Sequence, residues 1–356
     1  MRLTPAPRVT PDFAVRTRDA RRVLVIQLGG LGDVAHSFPA LRAIRAAYPQ
    51  AHLAVMAPAH SCALLRLAPG VDEILTYDGG KVGLSRRMWR LMRKLRRGHY
   101  DLCINLTGSN HASLLAFASG APVRLGRRPL EDHKRGWRHL HTALMEYPHL
   151  QEPMYRQWLH CLAQAGIEGR DEFEAELDEA ARGAAGLTAA ERKTYLHLSP
   201  CAGAPQRELP IAQVCALAER LHGEFPQYRL ALSARDTERE RTRMGAILAR
   251  LSFTPWRVEI GTLSVDALAA LVGDAALHLS GDTGPLHLAV LLGTPSVSWF
   301  RTNPTLAEYR PQGPQHRSFV VAGGAPDALH GIDNDAILQA ARELLASVPS
   351  TAWAML

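Results

Sequence analysis

The chain has 356 residues, more than one ordinary domain needs and enough for two, and 47% of them are hydrophobic, sufficient for sizeable cores. Its longest apolar runs, such as LHLAVLLG at 286–293, fall well short of the roughly 20 residues a membrane span needs, and the Pro- and Arg-rich first twenty residues lack the apolar segment of a secretory signal. The net charge of +7 is unevenly held: residues 1–165 carry 24 Lys and Arg against 11 Asp and Glu, a balance of +13, whereas residues 166–356 carry 17 against 23, a balance of −6. The first half is therefore the one expected to attract an anion.

In chain order, VLVIQL (23–28), LAVMA (53–57) and LCINL (102–106) are nearly continuous in apolar character, as strands buried on both faces of a parallel sheet should be. Between the first two, Val34, Phe38, Leu41 and Ile44 mark one face of a helix, so the opening unit reads strand, glycine turn, helix, strand. Residues 81–100 hold eight Lys and Arg and no acid. Arg86, Arg90, Arg93 and Arg97 recur there at helical spacing, with Met88, Leu91, Met92 and Leu95 available for an apolar face. That stretch reads either as a solvated outer helix or as a surface attracted to anionic lipid heads. A second basic loop at 124–139 includes Arg127 and Arg128. Cys62, Cys103, Cys161, Cys201 and Cys215 form no CxxC pair and no His/Cys cluster, which fits a reducing cytosol and gives neither a disulfide framework nor a zinc site.

A polar stretch at about 166–193 separates this half from a second alternating series. TYLHLS (194–199), RLALS (229–233), WRVEI (256–260), ALHLS (276–280) and SVSWF (296–300) read as strands. Pro210 starts a helix with Ile211, Val214, Leu217 and Leu221 on one face, closed by Gly223 and Pro226. A last helix begins at the caps Asp333 to Asp335 and carries Ile337, Leu338, Ala341, Leu344 and Leu345. The expected organisation is an N-terminal extension at 1–20, a Rossmann-like domain at 21–170, a linker at 171–193, a second Rossmann-like domain at 194–332, and a C-terminal helix and tail at 333–356.

Two turns carry the chemistry. GLGDVA (30–35) formally matches a dinucleotide fingerprint, GxGxxG/A. However, Asp33 would repel a pyrophosphate at the helix mouth, and no acid ends the second strand to grip a ribose. Asp33 then reads either as a helix cap or as a general base at the C-terminal end of a strand, where open α/β sheets place their ligands. The corresponding turn in the second half is SGDTGPLH (280–287). Gly281 and Gly284 bracket Asp282 and Thr283 there, and Pro285 opens a helix whose N–H groups make a diphosphate cradle. The plainer reading is that Asp282 and Thr283 only cap a buried helix, and that His287 is a core histidine.

Together VLVIQLGGLGDVAHSFPALRAIRAAYP and DTGPLHLAVLLGTPSVSWF resemble glycosyltransferase family 9, the ADP-heptose:lipopolysaccharide heptosyltransferases, with a matching order of elements from about residue 22 to 345. The resemblance implies an α/β GT-B fold: two facing Rossmann-like domains with a deep cleft between them, acceptor in the first and nucleotide sugar in the second. The final helix would pack back on the first domain. It implies inverting transfer of heptose from ADP-heptose to an anionic lipopolysaccharide inner-core acceptor, without metal or cofactor, by an enzyme of the cytoplasm peripherally attached to the inner membrane. Asp33 becomes the catalytic base on a turn shaped by Gly30 and Gly32, and Asp282, Thr283, Gly284 and His287 become donor-binding residues. A family K-x-W-P pattern falls on RELP (207–210), with Arg207 in place of the lysine and Leu209 in place of the tryptophan. An acid after the next strand, Asp236 or Glu238, would hold the ribose. Arg86, Arg90, Arg93, Arg97, Arg127 and Arg128 would face the anionic acceptor or the membrane. Alternatives are another nucleotide sugar or acceptor, a nicotinamide-dependent dehydrogenase, or a non-catalytic nucleotide-sugar-binding protein. Nucleic-acid binding has no aromatic platform, zinc finger or helix-turn-helix pattern behind it.

Overall fold

Twelve short strands, all pairing in parallel, form two six-stranded sheets in the computed structural model, which describes residues 7–78, 86–128, 139–147, 151–322 and 328–347. The chain divides into two compact units between Glu176 and Leu177. The first unit contains β1 (Arg22–Ile26), β2 (His52–Pro58), β3 (Glu73–Tyr77), β4 (Leu102–Asn105), β5 (Val123–Arg127) and β6 (Ala143–Met145), in spatial order β3-β2-β1-β4-β5-β6. The second contains β7 (Tyr195–Ser199), β8 (Arg229–Ala234), β9 (Arg257–Ile260), β10 (Leu277–Gly281), β11 (Ser296–Arg301) and β12 (His316–Val321), in order β12-β11-β10-β7-β8-β9. Counted from its own first strand, each sheet has the order 3-2-1-4-5-6 of a dinucleotide-binding fold. Each therefore has one switch point, between β1 and β4 and between β7 and β10, where strand order reverses and a crevice opens at the C-terminal strand ends.

The central strands are those whose sequences are continuously apolar: Val23–Ile26, Leu102–Ile104 and Leu277 with Leu279 are completely buried. Val34, Phe38, Leu41 and Ile44 are buried as their spacing predicts, although the helix breaks at Ser37 into Leu31–His36 and Phe38–Ala47. The helix Ile211–Glu224 takes Pro210 as its N-cap and runs through Gly223, which does not close it.

Three segments at the unit boundaries have definite places. Residues 7–20 are fastened to the first unit. Val9 N–H donates to Leu144 O and Ala14 N–H to Ala165 O, each at 2.9 Å, and Phe13 is buried. The stretch read as a linker is part of the second unit from Leu177 onward: Ala181 and Ala185 of the helix Glu179–Ala185 share a core with Tyr195 and Leu271, and Arg182 pairs with the buried Asp274 at 2.9 Å. The last helix, Asn334–Ser347, commits its apolar face to the second unit rather than to the first. Ile337, Leu338, Ala341 and Leu344 belong to one cluster with Leu277, Leu279 and Val297, because that sheet face would otherwise expose its apolar side chains.

The second sheet also carries a polar seam across its middle. His197 on β7 and His278 on β10 are register partners, completely buried, with their Nδ1 atoms 2.8 Å apart. His197 Nε2 lies 3.0 Å from Ser233 Oγ on β8, and His278 Nε2 lies 2.9 Å from Ser280 Oγ. Farther along, His316 Nδ1 on β12 meets Ser296 Oγ on β11 at 2.8 Å. Each imidazole is thus hydrogen-bonded inside an apolar layer, as buried polar groups must be.

Candidate active site

In the first unit the chain leaves β1 at the switch point and turns through Gln27–Gly30 into the helix Leu31–His36. Asp33 is the third residue of that helix, and its Oδ2 accepts the N–H of Gly30 at 2.8 Å. The carboxylate thereby satisfies one of the orphan donors of the helix start and is fixed over the turn. Gly29 lies so close to the Asp33 side chain that any Cβ there would overlap it. Gly30 is the helix N-cap, with extended backbone, and Gly32 is its second residue.

Beneath the turn lies a polar network that sequence patterning does not reveal. Gln27 is buried, and its Oε1 accepts from Gly29 N–H at 3.0 Å and from Thr107 Oγ1 at 3.1 Å. Thr107 Oγ1 in turn accepts from Leu28 N–H at 2.8 Å, and Asn105 Oδ1 accepts from Thr107 N–H at 3.0 Å. Asn105 Nδ2 lies 3.3 Å from His141 Nε2. Because only an oxygen can accept from Gly29 N–H, the Gln27 amide has one orientation, which leaves its buried Nε2 without a hydrogen-bond partner. Arg127, the last residue of β5 at the same end of the sheet, also has a buried Nε without a hydrogen-bond partner among the described residues, and its guanidinium sits 4.2 Å from the Tyr147 ring centroid. Among the described residues, two buried donors thus lack oxygen acceptors at the end of the sheet where Asp33 stands. Arg128 is engaged with Glu146 at 3.1 Å.

In the second unit β10 ends at Gly281, and the helix Gly284–Leu291 follows with Thr283 as its N-cap. Thr283 makes no side-chain cap; its hydroxyl lies 3.4 Å from Ser280 Oγ. Asp282 is held by Arg207, with Nη1 to Oδ2 at 2.9 Å, and faces His287 Nε2 at 3.8 Å. Arg207, Asp282, Thr283, Gly284 and His287 thus lie together at one helix mouth. His287 is buried on the apolar helix, as a core histidine would be, and its ring also faces Asp282. Gly281 permits the approach: a Cβ there would lie 2.5 Å from Arg207 O and 2.9 Å from Trp299 Nε1.

The loop carrying Arg207 is anchored by its neighbours. Glu208 is buried and accepts from Ala202 N–H at 2.6 Å and from Arg239 Nη1 at 2.8 and 2.9 Å, with Arg243 Nε 3.3 Å away. Leu209 is completely buried in the second core, so this position serves packing rather than ligand contact. Arg239 ties the loop to the helix Glu238–Leu248, whose first residue is the exposed Glu238. Asp236 is ion-paired with Arg241, whereas Glu238 has no ion pair among the described residues. No sequence signal marked Glu208 or Arg239, since a buried carboxylate and its arginine look like any surface pair in a string of letters.

The basic stretch forms the helix Arg86–Arg97, with Leu95 buried and Met88 and Leu91 packed on the first core. Residues 81–85 and 129–138 of the two basic stretches lie outside the described residues. Arg90, Arg93 and Arg97 line a pocket with Arg22, Glu73, Gly98 and Tyr100. Arg22 and Glu73 begin β1 and β3, so this pocket is at the N-terminal strand ends, opposite Asp33.

The family described as Glycosyltransferase family 9 (heptosyltransferase) matches residues 88–325. A lipopolysaccharide core heptosyltransferase, OpsX, of Haemophilus influenzae is 23% identical over 289 residues, covering 80% of each chain. Among solved structures, a family 9 glycosyl transferase from Veillonella parvula superposes with a TM-score of 0.78 at 21% identity, over 92% of this chain and 98% of that one. The Escherichia coli ADP-heptose lipopolysaccharide heptosyltransferase II gives 0.75 at 22% identity, over 91% and 98%. These similarities run through both units.

Proposed function

Because the chain belongs to glycosyltransferase family 9 and has the GT-B fold, we propose that it moves a heptose from ADP-heptose to an anionic lipopolysaccharide inner-core acceptor. Transfer inverts the sugar carbon, and Asp33 is the general base. The observation that carries this reading is the placement of a carboxylate, fixed by Gly30 N–H, at the switch point of the first sheet, where a dinucleotide fold would place a phosphate. The acceptor hydroxyl oxygen attacks the sugar carbon opposite the diphosphate, its proton passes to Asp33, and the bond to ADP breaks with the electron pair leaving on the diphosphate. Arg207, Thr283, Gly284 and the helix mouth steady the leaving group, with Asp282 and His287 orienting that cluster and Glu238 at the ribose. Arg can clamp phosphate bidentately where Lys acts as a point charge, so the exchange at 207 keeps the function.

The acceptor side is supported by two donors without hydrogen-bond partners among the described residues, Gln27 Nε2 and Arg127 Nε, which suit an acceptor rich in oxygens. Relatives named as lipopolysaccharide heptosyltransferases support both sugar and acceptor. No helix among the described residues is long and apolar enough to cross a membrane, and the basic first unit, with Arg86, Arg90, Arg93 and Arg97 on one helix, suits a peripheral enzyme of the cytoplasmic face. Family membership sets aside the dehydrogenase and the non-catalytic binding protein. Calorimetric titration with ADP, UDP, GDP and NADH tests the donor: ADP should bind best. A preference for UDP or GDP would keep the reaction class and overturn the sugar, and tight NADH binding would overturn the reading of the first turn.

A further inference from the structure

The pocket at the N-terminal strand ends of the first sheet is built unlike the site around Asp33. It has a volume of about 410 Å³ and is lined by Arg22, Arg90, Arg93, Lys94, Arg97, Glu73, Gly98 and Tyr100, five cations against one carboxylate. That carboxylate is already engaged, since Glu73 meets His52 at 3.1 Å and Arg22 at 3.8 Å. Arg22 is spent on the floor, where its Nε donates to Gly98 O at 2.7 Å and its guanidinium sits 5.7 Å from the Tyr100 ring centroid. Arg90, Arg93, Lys94 and Arg97 have neither an ion pair nor a side-chain hydrogen bond among the described residues, and all four are exposed. Arg90, Lys94 and Arg97 follow i, i+4, i+7 spacing, so like charges stand one above another on the helix, an arrangement that destabilises it unless an anion lies between them. The apolar side of the same helix is fixed to the core through Leu95, which holds the cationic stripe over the pocket.

We propose that this pocket binds a phosphate monoester dianion, with Arg93 and Arg97 as its principal ligands. β1 is five residues long, about 15 Å at the usual rise, so the bound phosphate sits about a strand's length from Asp33 and is not the group that reacts there. The site goes beyond glycosyl transfer and stands whichever sugar is moved. Its phosphate comes either from a lipid headgroup at the membrane surface or from a soluble phosphate ester.

The test uses the full-length protein in vesicle co-sedimentation, with phosphatidate in phosphatidylcholine and with phosphatidylglycerol vesicles matched for surface charge, and calorimetry with glycerol 3-phosphate. Arg96 lies on the same helix outside the pocket lining, so Arg96→Ala removes the same charge without touching the site. Arg93→Ala and Arg97→Ala are each expected to weaken phosphatidate binding about fivefold, Arg96→Ala less than twofold, and phosphatidylglycerol to bind less well than phosphatidate. Binding to vesicles without binding of glycerol 3-phosphate assigns a membrane source; binding of glycerol 3-phosphate with the same variant pattern assigns a soluble one. Equal losses for Arg96→Ala and Arg97→Ala, equal binding to charge-matched phosphatidylglycerol, or no binding in either format would overturn the proposal.

Discussion

Acid should unfold the second unit through its histidine seam. Burial pushes His197 down to about 3 and His316 to about 4 from the ordinary imidazole value of 6.5. Burial, then the neighbouring His197 and His316, lower His278 in the same direction. The folded unit therefore keeps these rings neutral while the unfolded chain protonates them at its ordinary value, so their contribution is fully present above about pH 6.5 and is lost as the pH falls toward 3. At pH 5 the loss is about 2 kcal/mol for His197 and a similar amount for His316. With His278 included, unfolding takes up nearly three protons between pH 6 and 5, a slope of about 3 to 4 kcal/mol per pH unit. Total stabilities of about 5–15 kcal/mol leave little after such a drop. Urea titrations of the full chain at pH 7.5, 6 and 5, followed by fluorescence of Trp256 and Trp299 in the second unit, measure it. A stability change below about 1 kcal/mol between pH 7.5 and 5 would refute the linkage, because it would mean the rings are hydrated or already charged in the fold.

The remaining expectations concern the proposed chemistry. Asp33→Asn keeps an oxygen for Gly30 N–H and removes the base, so ADP affinity should stay within about twofold while turnover falls by about 10²-fold or more; near-normal turnover in a heptose-transfer assay removes Asp33 from that role. Arg207→Ala deletes a half-exposed side chain, so urea midpoints should barely move while ADP binding weakens about tenfold; an unchanged affinity by calorimetry contradicts a phosphate clamp. Gly281→Ala places a Cβ against Arg207 O and the Trp299 indole, so the turn must shift, at a cost of about 1–3 kcal/mol in stability and a measurable loss of ADP binding. Wild-type values for both would show that the turn has room.

Alternation of apolar runs and helical spacing was enough to place eight of the strands: seven are interior strands of a parallel sheet, buried on both faces and mostly apolar in sequence, and the eighth, the edge strand β9, was placed as WRVEI although each of its residues is partly exposed. β3, β5, β6 and β12 escaped for the opposite reason. EILTY and HRSFVV lie at sheet edges and are partly exposed, VRLGR is interrupted by arginines, and ALM is three residues long. Both glycine turns were legible as strand-to-helix punctuation. The supports under them were not: Gln27, Thr107, Asn105 and His141 meet only once β1, β4, β5 and β6 are assembled in the sheet, and Glu208 meets Arg239 across 31 positions. The reach of Arg128 to Glu146 likewise shows why a basic letter alone does not give a free cation.

The seam in the second sheet also fixes where each proton resides. Ser280 donates its hydroxyl hydrogen to Gly281 O at 2.9 Å, so its oxygen must receive from His278 Nε2. His278 is then the Nε2–H tautomer with a bare Nδ1, which obliges His197 to carry its proton on Nδ1 and to accept from Ser233 at Nε2. The two neutral rings are opposite tautomers, arranged in a single direction that ends on the backbone of Gly281, at the second glycine turn. Neither ring can be exchanged for an apolar residue without stranding a buried nitrogen of the other, so the pair behaves as one structural unit whose two members depend on each other.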